Sequence, residues 1–213
     1  LTGEPVHGGD LTLEQLFFAP VGLPHAAFVM VLHVRNDGNS AAKGVHAFSL
    51  HNFHLGYGRP GVRQETGENG ETVVYAGTDL QERGFAGVIV ARPLTPATHH
   101  AGSHAAAPDA QSLFKIVAGG APVDFADLNG AASTQDASVS GFQWDLGDLA
   151  AGEDKWVGVV FAHSADPFAA ATVSTWLDDY ATGGTKALVD AEISGWNKLQ
   201  SSLTVPAGTS GDD

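Results

Sequence analysis

Cysteine is absent from the 213 residues. That removes disulfides, thiolate metal sites and thiol nucleophiles together. Positive charge is scarce: Lys and Arg number 10 against 24 Asp and Glu, a net charge of −14. A field of that sign repels phosphate backbones and anionic lipid surfaces, which excludes nucleic acid as an expected partner. Charged residues make up 16%, below the roughly 25% of an average domain. No apolar run approaches the roughly 20 residues of a membrane-spanning helix, so membrane insertion is not expected.

What is present points to a β-rich fold. Hydrophobic residues reach 43% and glycines number 27, enough for a substantial core and many turns. Such a composition, with few lysines, suggests a protein of the secreted or cell-envelope kind. The chain starts at Leu1 rather than Met, which fits a processed product or an excised piece.

Up to about Ser164, short apolar stretches alternate with Gly, Asn and Asp clusters. Ala27–Arg35 is dense in β-branched and large apolar side chains and stops at Asn36-Asp-Gly-Asn-Ser40. Further strands are expected at Leu11–Phe18, Val45–Leu55, Thr72–Tyr75, Gly87–Ala91, Leu113–Val117, Ser138–Leu146 and Lys155–Ala162. None is separated from the next by the helical pattern that a parallel βαβ unit needs. The expected fold is therefore mainly β, a large two-sheet antiparallel sandwich.

After Ser164 the period becomes helical. Asp166-Pro167 predicts a cap and a first helical turn, followed by a helix from Phe168 to Tyr180 that Gly183-Gly184 stops. Thr185 is placed to cap a second helix, whose stripe of Val189, Ile193, Trp196, Leu199 and Leu203 has steps of three and four. Pro206 ends it. The division is thus a sandwich over 1–164, a helical linker over 165–206 and a flexible tail or cut end over 207–213.

Candidate chemistry is sparse. His99, His100 and His104 lie in a Pro-, Ala- and Gly-rich stretch that reads as a solvated loop without the fixed geometry of a zinc or nickel site. His46, His51 and His54 lie on one strand, and alternation puts His51 and His54 on opposite faces. Asp124, Asp127 and Asp136, with Asn129, offer loop oxygens for calcium, although their spacing is not that of an EF-hand. Asp178 and Asp179 diverge on a helix and cannot flank a glycosidic bond. No Gly-x-Ser-x-Gly elbow is present, and Gly56–Gly61 lacks the lysine of a phosphate loop. No catalytic residue, metal site or cofactor is assigned. Trp144, Trp156 and Trp176 are expected in the core. Trp196, mid-stripe on the last helix, is expected either to pack on the sandwich or to dock a further domain.

The order of parts carries a resemblance. Val34-Arg-Asn-Asp-Gly-Asn-Ser-Ala-Ala-Lys-Gly-Val-His-Ala-Phe-Ser-Leu50, then Trp144-Asp-Leu-Gly-Asp-Leu-Ala-Ala-Gly-Glu-Asp-Lys-Trp-Val-Gly-Val-Val-Phe-Ala162, then Ile193-Ser-Gly-Trp-Asn-Lys-Leu199 follow one another. Together they resemble the N-terminal supersandwich domain of bacterial glucoamylase-type glycosidases, glycoside hydrolase family 15 and its relatives. The resemblance spans about residues 10 to 206. It implies a sandwich and linker helix followed, in the parent protein, by an α/α barrel that holds both catalytic carboxylates. No barrel is present here, so no catalytic position is carried over. The implied role is a non-catalytic docking domain whose partner is that barrel, with Trp196, Leu199 and Leu203 as docking residues. The parent would act on α-linked glucans or a related oligosaccharide. The alternative is a stand-alone surface module that binds carbohydrate or adheres.

Overall fold

The computed structural model describes residues 6–8, 10–53, 63–66, 71–76, 87–104, 113, 117, 125 and 138–202. Its strands are β1 (Val6–Gly8), β2 (Leu11–Phe18), β3 (Phe28–Asn36), β4 (Ala42–Phe53), β5 (Arg63–Thr66), β6 (Thr72–Ala76), β7 (Gly87–Pro93), β8 (His99–His104), β9 (Ser138–Leu149) and β10 (Asp154–Ser164). Helices α1 (Ala170–Trp176), α2 (Asp178–Ala181) and α3 (Gly184–Ser202) follow. All strand pairs are antiparallel. They form a seven-stranded sheet in the order β1-β2-β3-β10-β7-β6-β5 and a three-stranded sheet in the order β4-β9-β8. The mainly β, two-sheet antiparallel fold is the one the sequence predicts.

The helices make this a three-layer structure. One face of the large sheet puts Met30, Leu32, Val34, Val157 and Val159 against Val45, Ala47, Phe142 and Trp144 of the small sheet. The other face puts Val29, Val31, Val88, Val90 and Val160 against Val173, Leu177, Tyr180 and Val189 of the helical segment. β3 and β10 are therefore covered on both sides. This explains why they read as near-continuous apolar runs rather than as alternating ones. A smaller cluster of Ala101, Leu113, Phe125 and Val139 covers the outer face of the small sheet.

Two buried polar groups fasten the layers. Asn36, fully buried, donates through Nδ2 to the carbonyls of Ser40 at 2.8 Å and Leu149 at 2.9 Å, and its Oδ1 accepts from the Gly38 amide at 3.0 Å. It joins the turn after β3 to the β9–β10 hairpin. Arg92 on β7 donates to Glu71 Oε1 at 2.5 Å, to Asp178 Oδ1 at 2.6 Å and to the Ser174 carbonyl at 2.6 Å. Glu71 is 1% exposed, so the pair holds α1 and α2 on the sheet in a dry setting.

Glycine is required at one crossing. A Cβ on Gly158 would stand 2.7 Å from the Met30 carbonyl oxygen and 3.1 Å from Thr185 Cγ2. The bare backbone of β10 lets the first turn of α3 lie directly on the sheet.

Four local expectations are corrected. Leu113 and Val117, the described residues of a predicted strand, are helical positions, so helical backbone is not confined to the region after Pro167. The predicted helix from Phe168 to Tyr180 breaks at Leu177 into two short ones, because the chain turns there to bury both Leu177 and Tyr180. Asp166 does not cap α1. Its Oδ1 accepts from the Phe168 amide at 2.9 Å in a turn before the helix. Thr185 lies inside α3, and its hydroxyl pairs with that of Thr95 at 2.9 Å.

Candidate functional site

The docking residues expected from the sequence sit on the last helix. Trp196 and Leu199 are each 50% exposed, and Leu203 lies outside the described residues. The inward face of α3 runs Thr185, Val189, Glu192, Trp196, Leu199, with steps of four and three. The first three are at most 7% exposed. The last two continue the same line but are half exposed. Ile193, which the sequence places in this stripe, stands at its margin and is 40% exposed.

Trp196 and Leu199 form one wall of an apolar groove of about 360 Å³, with Leu188, Ala191, Glu192 and Gly195 of the same helix. The segment between β2 and β3 supplies the other wall through Pro20, Val21 and Leu23. Glu192 Oε1 accepts the Trp196 indole N–H at 2.7 Å. The indole is thus held edge-on by a buried carboxylate while one half of it stays in solvent. Glu192 and Gly195 were missed in the sequence. The signal for Glu192 was its place in the four-and-three register of the apolar stripe, where an acidic residue breaks the pattern.

A second concavity opens between the sheets. It has a volume of about 730 Å³ and is lined by Phe17, Phe28, Met30, Phe161 and Ile89, with Gln15, His51 and His163 as polar groups. Phe17 stacks on Phe28 with centroids 5.7 Å apart, and His51 meets Phe161 edge-on at 4.8 Å. Burial lowers the His51 pKa to about 4, so the ring is neutral at neutral pH and hydrogen-bonds to Ser49 as a neutral partner. Gln15 Nε2 donates to the Met30 sulfur at 3.2 Å, a weak acceptor.

The histidines expected in a solvated loop are in a strand instead. His99 and His100 belong to β8 and pair with Gln143 and Phe142 of β9. The stretch is short and rich in small residues, so its strand pairing is set by β9 and not by its own propensity. Burial and the neighbouring His99 lower the His100 pKa. On the outer face, Asp145 takes His46 Nδ1 at 2.6 Å and Gln143 Nε2 at 2.7 Å, with His99 Nε2 at 3.6 Å. Those contacts hold the Asp145 pKa below the usual carboxylate range, although partial burial, the largest single influence, pushes the other way. Among the described residues no group of three or more His, Asp or Glu side chains is arranged to hold a metal ion. His54 and Asp124, Asp127, Asn129 and Asp136 lie outside the described residues, as does the side chain of His104.

Trp144 is buried, as expected. Trp156 and Trp176 are only partly buried and occupy the rim of the helix-facing core. Trp156 stacks on His33 at 3.7 Å and Trp176 on His25 at 4.7 Å. His33 also reaches Glu14 at 3.2 Å and Asp154 at 2.8 Å. Lys186 of α3 lies over the Trp156 ring, 5.9 Å from its centroid, so the His33–Trp156 pair sits on the sheet surface beside α3. Asp178 is committed to Arg92, which removes it from any carboxylate pair.

No family model matches the sequence, and no curated protein matches it significantly. Solved structures do. A bacterial glucoamylase complexed with acarbose superposes with a TM-score of 0.57 at 10% identity, over 92% of this chain and 26% of that one. A candidate aldose 1-epimerase from Escherichia coli K12 gives 0.44 at 11% identity, over 76% and 63% of the two chains. A candidate kojibiose phosphorylase from the human microbiome gives 0.39 at 8% identity, over 88% and 23%. These neighbours are carbohydrate-active enzymes. This chain spans about a quarter of the glucoamylase chain that it matches, and it shares the fold of that quarter.

Proposed function

We propose that this chain is the N-terminal structural and docking domain of a larger secreted or envelope carbohydrate-active enzyme, a glycosidase of the glucoamylase type acting on α-linked glucans or a related oligosaccharide. In this reading the chain contributes no catalytic group. Its partner is a catalytic α/α barrel of the same parent protein, and its docking surface is the exposed continuation of α3. The observation that carries the reading is the face of Trp196 and Leu199. It keeps the spacing of the buried face of α3 but is only half covered, in a fold that corresponds to a quarter of a glucoamylase chain. Half-exposed Trp beside a groove is the composition of an interface centre.

The cleft between the sheets is the feature that favours a carbohydrate-binding module. Its aromatic lining suits the apolar faces of sugar rings. Its polar inventory does not suit their hydroxyls: Gln15, His51 and His163 are few partners for a polyol, and each buried hydroxyl left unpaired costs about 1–3 kcal/mol. The docking reading is therefore preferred.

Hydrolysis assays test it. The purified chain should release no glucose from maltose, maltooligosaccharides or starch, and the protein encoded by the uninterrupted reading frame should. Turnover by this chain alone, lost on replacing one of its own Asp or Glu residues, would overturn the proposal.

A further inference from the structure

The groove beneath Trp196 holds a carboxylate that no described Lys, Arg or His contacts. Glu192 is 7% exposed and sits among Pro20, Val21, Leu23, Leu188 and Leu199. Its Oε1 accepts from the Trp196 indole at 2.7 Å, and its Oε2 lies 3.4 Å from the Val21 amide nitrogen. Both donors are neutral, and among the described residues no Lys, Arg or His contacts the carboxylate. The same fold buries Glu71 against Arg92 at 2.5 Å. Burying a carboxylate without a cation is costly, and Oε2 retains most of its capacity to accept.

Gly195, one turn along the same wall, is the second observation. Glycine weakens a helix interior relative to alanine. No neighbour demands it here, since a Cβ would meet nothing within 4 Å. What its bare backbone does is leave a notch in the groove wall between Glu192 and Leu199.

We infer that the groove receives a polypeptide segment of the adjoining domain that carries a lysine or arginine flanked by apolar side chains. The cation pairs with Glu192 Oε2, and an apolar neighbour fills the notch at Gly195 against Trp196 and Leu199. This rests on the docking reading and names the chemistry of its partner. A second copy of this chain is the poorer occupant, because two bodies of net charge −14 repel one another as they approach.

Two probes of equal length separate charge from bulk: 4-phenylbutylamine, a cation, and 4-phenylbutan-1-ol, its neutral counterpart. Binding is read on the full chain from the indole N–H resonance of Trp196 in NMR titrations at low and physiological salt. The amine should bind at least about tenfold more tightly than the alcohol, which corresponds to one decade in the dissociation constant. Glu192→Gln should bring the two within about twofold, mainly by weakening the amine. Gly195→Leu should abolish binding of both by filling the notch. Equal affinities in the unaltered chain, or no binding of either probe, would overturn the inference. So would an amine preference that survives Glu192→Gln, since it would report only the general acidity of the protein. The unaltered chain decides the point even if a variant fails to fold. The docking reading itself stands or falls separately, on association with the adjoining domain.

Discussion

The side-chain amide of Asn36 donates to the carbonyl of Leu149, 113 residues away, at 2.9 Å. Both belong to stretches that carry the glucoamylase-type resemblance, and one buried side chain joins them. The Asn36 backbone extends the link: its carbonyl accepts from the Gly152 amide at 2.8 Å, and its own amide donates to Glu153 at 2.9 Å.

Asn36→Ala should therefore destabilise the chain by about 2–3 kcal/mol, because it leaves buried carbonyls without donors. At the ordinary entropy of unfolding for a chain of this size, that lowers the melting temperature by roughly 4–12 °C. Thermal unfolding followed by circular dichroism checks it. A change below about 0.5 kcal/mol would mean that water replaces the side chain and the two turns are held by their backbones alone.

Arg92→Met removes the cation from a buried cluster and leaves Glu71 uncompensated. The expected loss is about 3–5 kcal/mol. The pair Arg92→Met with Glu71→Leu should be less damaging than Arg92→Met alone. Urea denaturation of the two variants gives the comparison. If the double variant is the weaker, Glu71 is not uncompensated without Arg92, and its hydrogen bonds from the Ser174 hydroxyl hold it in place.

His51 makes the fold sensitive to mild acid. Its folded pKa, about 4, is depressed by burial below the ordinary value of 6.5. The unfolded chain therefore binds a proton that the folded chain refuses. Its contribution to stability is intact above pH 6.5 and is lost as pH falls from there to about 4, to a total of about 3 kcal/mol. His100, shifted in the same direction, adds to the slope. His51→Gln should flatten the decline of melting temperature between pH 7 and pH 4.5 relative to the unaltered chain. Parallel declines in the two proteins would show that His51 is hydrated in the folded state.

Much of this was legible because the local signals agreed with the tertiary structure. The Asn36–Ser40 turn, the strands on either side of it and the β9–β10 hairpin were readable from turn residues and β-branched runs. The third layer was not, because apolar runs in β3 and β10 look the same whether their second face meets a sheet or helices. β8 was hidden by its composition: small residues and histidines have little strand preference, and the partner strand imposes it. Glu192 was hidden by its charge. A reading of α3 that counts only apolar positions moves the stripe to Ile193, whereas the structure keeps the four-and-three spacing and buries the carboxylate. Nothing in the sequence joined that carboxylate to Val21, which lies 171 residues away.

The most direct measurement is calorimetric titration of this chain with the polypeptide encoded next in the same reading frame, repeated with Trp196→Ala. Half exposed and at the end of the packed stripe, Trp196 should contribute little to the fold. The substitution should move the melting temperature of the isolated chain by only roughly 2–4 °C, about 1 kcal/mol. The account predicts micromolar or tighter association, weakened at least about tenfold by Trp196→Ala. That is a loss of about 1.4 kcal/mol or more, as expected for a residue at an interface centre. No association, or an unaltered affinity together with unfolding of the variant chain, would contradict it and return Trp196 to the core of the sandwich.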